Sequence, residues 1–390
     1  MQGDDFEIVI DRRKTNSAKY DGYQDIYGAN NLIPLWVADM DFCTPEFVFD
    51  AIENRMKHHS LGYFTHSDGF YQAIIGWMHR RHQWKVKKEW IYFSTGVMPS
   101  IFYLVQAFSA PGDKILVPTP AYSPFFSVVK NQKRELVITP LRLAGDHYEI
   151  DFDHLECCLK LGIKIMIMCN PHNPTGRCWS DEELKAVRNL CLKYNCLIVS
   201  DEIHSDLIMP GYKHTPMANI SEEISMNTIT CMSPSKTFNL AGLSTSEIII
   251  PDPTLRIQFE KFKQGLHLFV GNIFGEIALE ACYNQGDEWL SKLLHYLKEN
   301  VDYMQHYFQS FIPEIRTFRH EATYLPWLDF SAFGLPHGDL SRLLVEKAKV
   351  ALSDGSAFGK EGEMHFRINV ACQRATLEKA LNQLKLIFSS

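Results

Sequence analysis

The sequence predicts an α/β fold: a mainly parallel sheet covered by helices on both faces, followed by a smaller α+β domain. Two observations carry this. Short, continuously apolar strands alternate with amphipathic helices through most of the chain, the pattern of βαβ units whose strands are buried on both sides. After about residue 286 the alternation stops, and a long helix leads into strands separated by helices. Three segments follow. Residues 1–45 lack a helical period and are expected to pack with the small domain, the large domain covers 46–286, and the small C-terminal domain covers 287–390.

Taken in order, Trp90–Phe93 reads as a strand. Ser94, Thr95 and Gly96 follow, then a helix with Ile101, Leu104, Val105 and Phe108 at i, i+3, i+4, i+7 spacing. Lys114–Val117 is a strand closed by Pro118 and Pro120, and Ile163–Cys169 is a buried-type strand running into NPHNPTG. Ser180 opens the next helix, with Glu183 as its capping-box partner. Leu197–Ser200 ends at Asp201, and Thr228–Met232 and Glu247–Ile250 are two more strands. The long helix spans Asp287 to about Phe311. Strands near Tyr324–Phe330 and His365–Val370 come next, with helices near Gly338–Lys349 and Thr376–Phe388.

Composition excludes several classes. The 390 residues carry 39 Lys and Arg against 46 Asp and Glu, a net charge of −7, which disfavours a nucleic-acid binder needing a basic surface. No apolar run has the length of a membrane span, and the acidic N-terminus lacks the basic and long apolar regions of a secretion signal. None of the ten cysteines forms a C-x-x-C pair, so no metal site is expected, and free thiols suit a reducing, cytoplasmic compartment. A plain nucleotide-binding protein fails on motif, because GxGxxG after the first strand and GxxxxGK[ST] are both absent.

In open α/β sheets, ligands sit at the carboxyl ends of strands. Five such ends carry small, hydroxyl-bearing or ionisable residues: Ser94–Gly96, Pro120–Tyr122, Asn170–Gly176, Asp201–His204 and Ser233–Lys236. Together they suggest one shared site. Lys236 stands at its centre, because a lysine between hydroxyl groups and Phe238 is partly desolvated and its amine becomes a nucleophile. A surface lysine, and a helix cap or surface acid for Asp201 and Glu202, are the plain alternatives for these residues taken singly.

SPSKTFNLAGL, with YNCLIVSDEIHSD upstream and CNPHNPTG further upstream, resembles the pyridoxal-phosphate enzymes of the aspartate aminotransferase superfamily, fold type I, class I/II. More narrowly, LIPLWVADMDF, CNPHNPTGRCWSDEEL, SDEIHSD, ATYLPWLDF and HFRINVACQR resemble the MalY/PatB-like cystathionine β-lyases, a carbon–sulfur lyase subfamily. The likeness is collinear from about residue 5 to the C-terminus. It implies a seven-stranded sheet in the large domain, a homodimer with active sites at the subunit interface, and pyridoxal 5'-phosphate as cofactor.

It also implies roles. Lys236 forms the Schiff base and then acts as base, Asp201 pairs with the pyridinium nitrogen, and Tyr122 stacks on the ring. Asn173 donates to the ring phenolate and borders the substrate. Gly96, Val97 and Met98 offer backbone N–H groups to the phosphate at a helix N-terminus. Ser233 and Ser235 add hydroxyls, and Tyr63 reaches the phosphate from the other subunit. Arg367 grips the substrate carboxylate bidentately, in a pocket lined by the backbone of Trp36, Val37 and Ala38. Tyr324 and Trp327 read as core residues.

Two positions depart from the wider pattern. His204 stands where many relatives carry a tyrosine, and Ser244 where many aminotransferases carry a phosphate-binding arginine. Both favour the lyase branch. No second arginine stands out for a side-chain carboxylate. The expected reaction is α,β-elimination of L-cystathionine or another L-cysteine S-conjugate to a thiol, pyruvate and ammonia. A class I/II aminotransferase and a purely cofactor-binding protein are the alternatives.

Overall fold

The computed structural model describes residues 5–221, 225–266 and 271–389, so residues 1–4 of the expected N-terminal segment lie outside the described residues. In chain order the strands are β1 Ile33–Leu35, β2 Ile91–Ser94, β3 Lys114–Thr119 and β4 Glu135–Pro140. Then come β5 Arg142–Ala144, β6 His147–Glu149, β7 Ile163–Cys169, β8 Leu197–Asp201, β9 Thr228–Met232 and β10 Ser246–Ile249. The last four are β11 Arg316–Thr317, β12 Trp327–Asp329, β13 Val350–Asp354 and β14 His365–Arg367.

Seven strands form the large sheet in the order β2-β10-β9-β8-β7-β3-β4. Every pairing is parallel except the two made by β10. The continuously apolar strands are buried on both faces. Ile115, Val117, Ile165, Ile167 and Val199 pack against the helices Val97–Phe108 and Pro253–Gly265. Their immediate neighbours Leu116, Met166, Met168 and Ile198 point the other way. They meet the helices Phe152–Leu159 and Asp181–Lys193, the latter opened by the expected Ser180–Glu183 capping box.

Strand order reverses between β3 and β7. That reversal leaves a crevice at the carboxyl edge of the sheet.

The second sheet runs β1-β13-β14-β12-β11, with β1 parallel to β13 and the other pairs antiparallel. It shares one apolar core with the helices Asp68–His82, Ile273–Gln285 and Asp287–Phe311. The long helix has the bounds its sequence period predicts.

Several details differ from expectation, among them a strand at Val350–Asp354 that the sequence did not announce and an end at Arg367 for the strand expected over His365–Val370. The N-terminal segment holds a five-residue helix, Tyr23–Tyr27, too short for a period to register. Helix His337–Arg342 stops early because Leu343–Lys347 widens into a π-helical turn. The strand expected over Tyr324–Phe330 shrinks to Trp327–Asp329, since Pro326 has no N–H to give the ladder. Pairing resumes beyond it through Ile368 N–H to the Pro326 carbonyl (2.9 Å) and Val370 N–H to the Tyr324 carbonyl (3.0 Å).

Candidate active site

The five strand-end stretches meet at one cavity of about 210 Å³. Gly96, Val97 and Met98 line it from the end of β2, and Tyr122 from beyond β3. Asn173 follows β7, Asp201 and His204 stand at the end of β8, and Ser235 and Lys236 lie past β9. Ala38 and Arg367 reach in from the second sheet's side. The peptide bonds before Pro120, Pro171 and Pro174 are cis.

Lys236 Nζ donates to the Ala38 carbonyl at 2.7 Å. Burial, reinforced by the nearby Arg367 cation, lowers its pKa to about 8. Asp201 moves the other way. Burial raises its carboxyl to about 7, outweighing the Ile203 N–H that it accepts at 3.1 Å and the nearby charge of Lys236. The amine is therefore partly neutral near pH 7, and the acid lacks the cation that would hold it ionised.

Arg367 is buried, 5% exposed. Its Nη1 donates to Asn173 Oδ1 (2.9 Å), and its Nη2 donates to the Trp36 carbonyl (3.2 Å) and Ser353 Oγ (3.1 Å). Its Nε has no partner. All three acceptors are neutral, so among the described residues this buried cation has no anionic partner, an arrangement that favours an incoming carboxylate. His204 is also buried, with Nδ1 unpartnered, and burial beside Lys236 and Arg367 keeps its ring neutral. The half-buried Tyr122 ring packs edge-on against Phe125 at 5.9 Å.

Helix Val97–Phe108 begins at Gly96 with no side chain capping its first N–H groups and no acid in its first turn. Its end is open to an anion. Gly96 adopts φ 154 and ψ 158, a region open to glycine, and an added Cβ would meet Pro99 at 3.3 Å. Gly96→Ala is expected to weaken cofactor affinity roughly tenfold, since such backbone strain costs about 1–3 kcal/mol. Titration of cofactor-free protein by absorbance measures it, and an unchanged dissociation constant contradicts it.

Two expected residues stand elsewhere. The Ser233 hydroxyl points away, donating to the Thr245 carbonyl (2.7 Å) with Ser235 Oγ in hydrogen-bond contact at 2.8 Å, so it fixes Ser235 instead of facing the cavity. The Val37 carbonyl is held by Asn369 Nδ2 at 2.6 Å, outside the cavity lining. Tyr63, expected at the other subunit's site, is fully exposed and does not line its own chain's cavity.

Conversely, Thr95, Cys169, Ile203, Ala241, Ser244 and Thr245 also line the site. Tyr324 is more than core filler, because its hydroxyl donates to the same Ala38 carbonyl that receives Lys236 (3.0 Å). Trp327 is a core residue.

The family model for aminotransferase class I and II matches residues 30–384. Cystathionine β-lyase PatB of Bacillus subtilis (strain 168) is 41% identical over 385 residues, covering 98% of this chain and 100% of PatB. A PLP-bound protein from Clostridium difficile 630, described as a presumed aminotransferase, superposes with a TM-score of 0.96 at 43% identity, covering 98% and 99% of the two chains. Cystalysin from Treponema denticola, which contains pyridoxal 5'-phosphate, gives a TM-score of 0.94 at 35% identity over 98% of each.

The cavity's own chemistry fits that cofactor. It holds an amine with a lowered pKa for an aldehyde, an unpaired buried carboxyl for a ring nitrogen, and an uncapped helix end for a phosphate.

Proposed function

The chain belongs to the aminotransferase class I and II family, in its MalY/PatB-like branch, and from that premise we propose a pyridoxal-phosphate-dependent carbon–sulfur lyase acting on L-cysteine S-conjugates. The observation that carries this reading is the buried Arg367 guanidinium with only neutral partners, in the same cavity as the Lys236 amine. An α-carboxylate on Arg367 brings an α-carbon beside a base.

When bound, pyridoxal phosphate supplies an electron-withdrawing ring that spreads the charge left at Cα. The protein's groups do the rest. Lys236 would tether the cofactor until the substrate's own amine replaces it there, and the freed neutral amine would then take the α-proton. Asp201 keeps a proton on the ring nitrogen, and Asn173 orients Arg367 while bordering the ring. The Cβ–S bond breaks and the sulfur leaves as a thiolate, a good leaving group because thiol pKa values lie near 8.5. Water then releases pyruvate and ammonia.

A neighbouring cavity of about 590 Å³ shares Tyr122 and Arg367 with this one and gives the S-substituent room.

Incubating the purified protein with L-cystathionine or L-cystine is expected to release pyruvate and a free thiol in equal amounts. Conversion of the cofactor to its amine form without thiol release would establish the aminotransferase instead.

The same reading takes the active form as a homodimer in which Tyr63 reaches the other subunit's phosphate site. The exposure of Tyr63 near exposed Leu61 and Met56 supports this. A cytoplasmic location is supported by ten cysteines, all of them free. Among the described residues no helix is long and apolar enough to cross a membrane, and no group of three metal-ligating side chains occurs.

A further inference from the structure

Behind the cavity wall, the other two acids of the SDEIHSD segment enter a buried cluster that the reaction does not use. Asp206 is 4% exposed and Glu202 fully buried. Asp206 Oδ2 accepts the Thr237 hydroxyl at 2.9 Å, its Oδ1 lies 3.0 Å from His82 Nε2, and both oxygens accept Trp77 Nε1 at 3.2 Å. Glu202 accepts Ser200 Oγ (2.8 Å) and the Met217 N–H (2.9 Å), and lies 3.0 Å from His214 Nε2. The His82 and His214 rings meet edge to face at 5.4 Å. One cluster thus grips the residue after Lys236 at one end and the residue after Asp201 at the other.

We propose that Asp206 is a positioning residue for Lys236, acting through the Thr237 hydroxyl. The inference rests on Lys236 being the reacting amine. Lys236 sits in a helix of only four residues, Pro234–Thr237, which is too short to hold its own shape. Ser233 caps its start by accepting the Ser235 N–H at 3.0 Å. Its end is anchored by Thr237 on Asp206 and by Phe238 against Trp77, ring centroids 5.8 Å apart. Trp77 therefore secures both the carboxylate and the neighbouring aromatic.

Neither Asp206 nor Thr237 lines the cavity, so their effect on chemistry passes through the placement of the amine. Burial alone would raise the Asp206 pKa, but His82 beside it, the charge of Arg81 and the Thr237 hydroxyl hold it below the usual value. Such a carboxylate is a rigid anchor, because losing any donor exposes a buried charge.

Thr237→Val keeps the side chain's shape and removes the hydroxyl, whereas Thr237→Ser keeps the hydroxyl. In holoenzyme, Thr237→Val is expected to lower kcat at least about tenfold with KM within about threefold, and Thr237→Ser to recover most of that loss. In cofactor-free protein, amide exchange over residues 234–240 is expected to accelerate about tenfold or more in Thr237→Val and in Asp206→Asn, with Thr237→Ser near wild type.

Unchanged kcat and exchange in Thr237→Val overturn the proposal, and so does a loss that serine fails to rescue. If Asp206→Asn does not fold, the two Thr237 variants decide alone. Activity persisting in Lys236→Ala would refute the reading beneath the inference, a result distinct from any of these.

Discussion

Lys236→Ala is expected to cut thiol release from a cysteine S-conjugate by about 10⁴-fold or more, the upper range for loss of a positioned base, because tethering goes as well. The amine's environment sets its readiness. With its pKa lowered to about 8, roughly a tenth of Lys236 is neutral at pH 7. An ordinary lysine near 10.4 would supply a few parts in ten thousand.

Lys236→Arg should be equally inactive, since a guanidinium stays protonated. Neither variant should be trapped by borohydride, which in wild type is expected to fix the cofactor on Lys236.

The cofactor-free Lys236→Ala protein should melt no lower than wild type below pH 8. Burial disfavours the ammonium there, and that cost begins to lift only above about pH 8 and is gone near 10.5, where the unfolded lysine also loses its proton. Residual turnover above about 1% would mean that another group takes the α-proton.

The sheet's carboxyl edge was legible because parallel strands announce it. Each of β3, β7, β8 and β9 is an apolar run whose last residue hands over to polar chain, and all end on the same side. That rule fails for β10. It runs antiparallel, so the edge at the cavity is its beginning, and Ser244 and Thr245 enter the site from before the strand. No strand-end search finds them, although Ser244 was visible as the place where other family members carry an arginine.

The Ala38 carbonyl shows a second limit. Its importance comes from two donors, Lys236 and Tyr324, that approach from 198 and 286 residues away. A backbone oxygen leaves no mark in side-chain spacing. Ser233 shows a third limit. A serine two residues from Ser235 looks like a matching donor, yet the first turn of the helix rotates one hydroxyl inward and spends the other on the cap.

Asp201→Asn is expected to lower kcat by about 10²–10³-fold, the usual cost of removing one charge-stabilising contact in a water-excluded site. An amide fills the same space but cannot balance a protonated ring nitrogen, so the ring withdraws charge less strongly when Lys236 removes the α-proton. A second signature separates charge from shape.

In cofactor-free protein the Asp201 carboxyl titrates near 7, against about 3.8 in the unfolded chain. Between those values the folded state holds a proton that the unfolded state has released. The stability linked to that proton is complete below pH 3.8 and is lost as pH rises towards 7. Asparagine does not titrate, so Asp201→Asn should melt less steeply with pH between 5 and 7.5 and should stand above wild type at the upper end.

Adding pyridoxal phosphate should reverse the comparison, because a ring cation gives the carboxylate a charged partner that the Ile203 N–H does not supply. Parallel melting curves for the two cofactor-free proteins, or turnover in the variant within about threefold of wild type, would show that Asp201 does not carry the ring-facing charge.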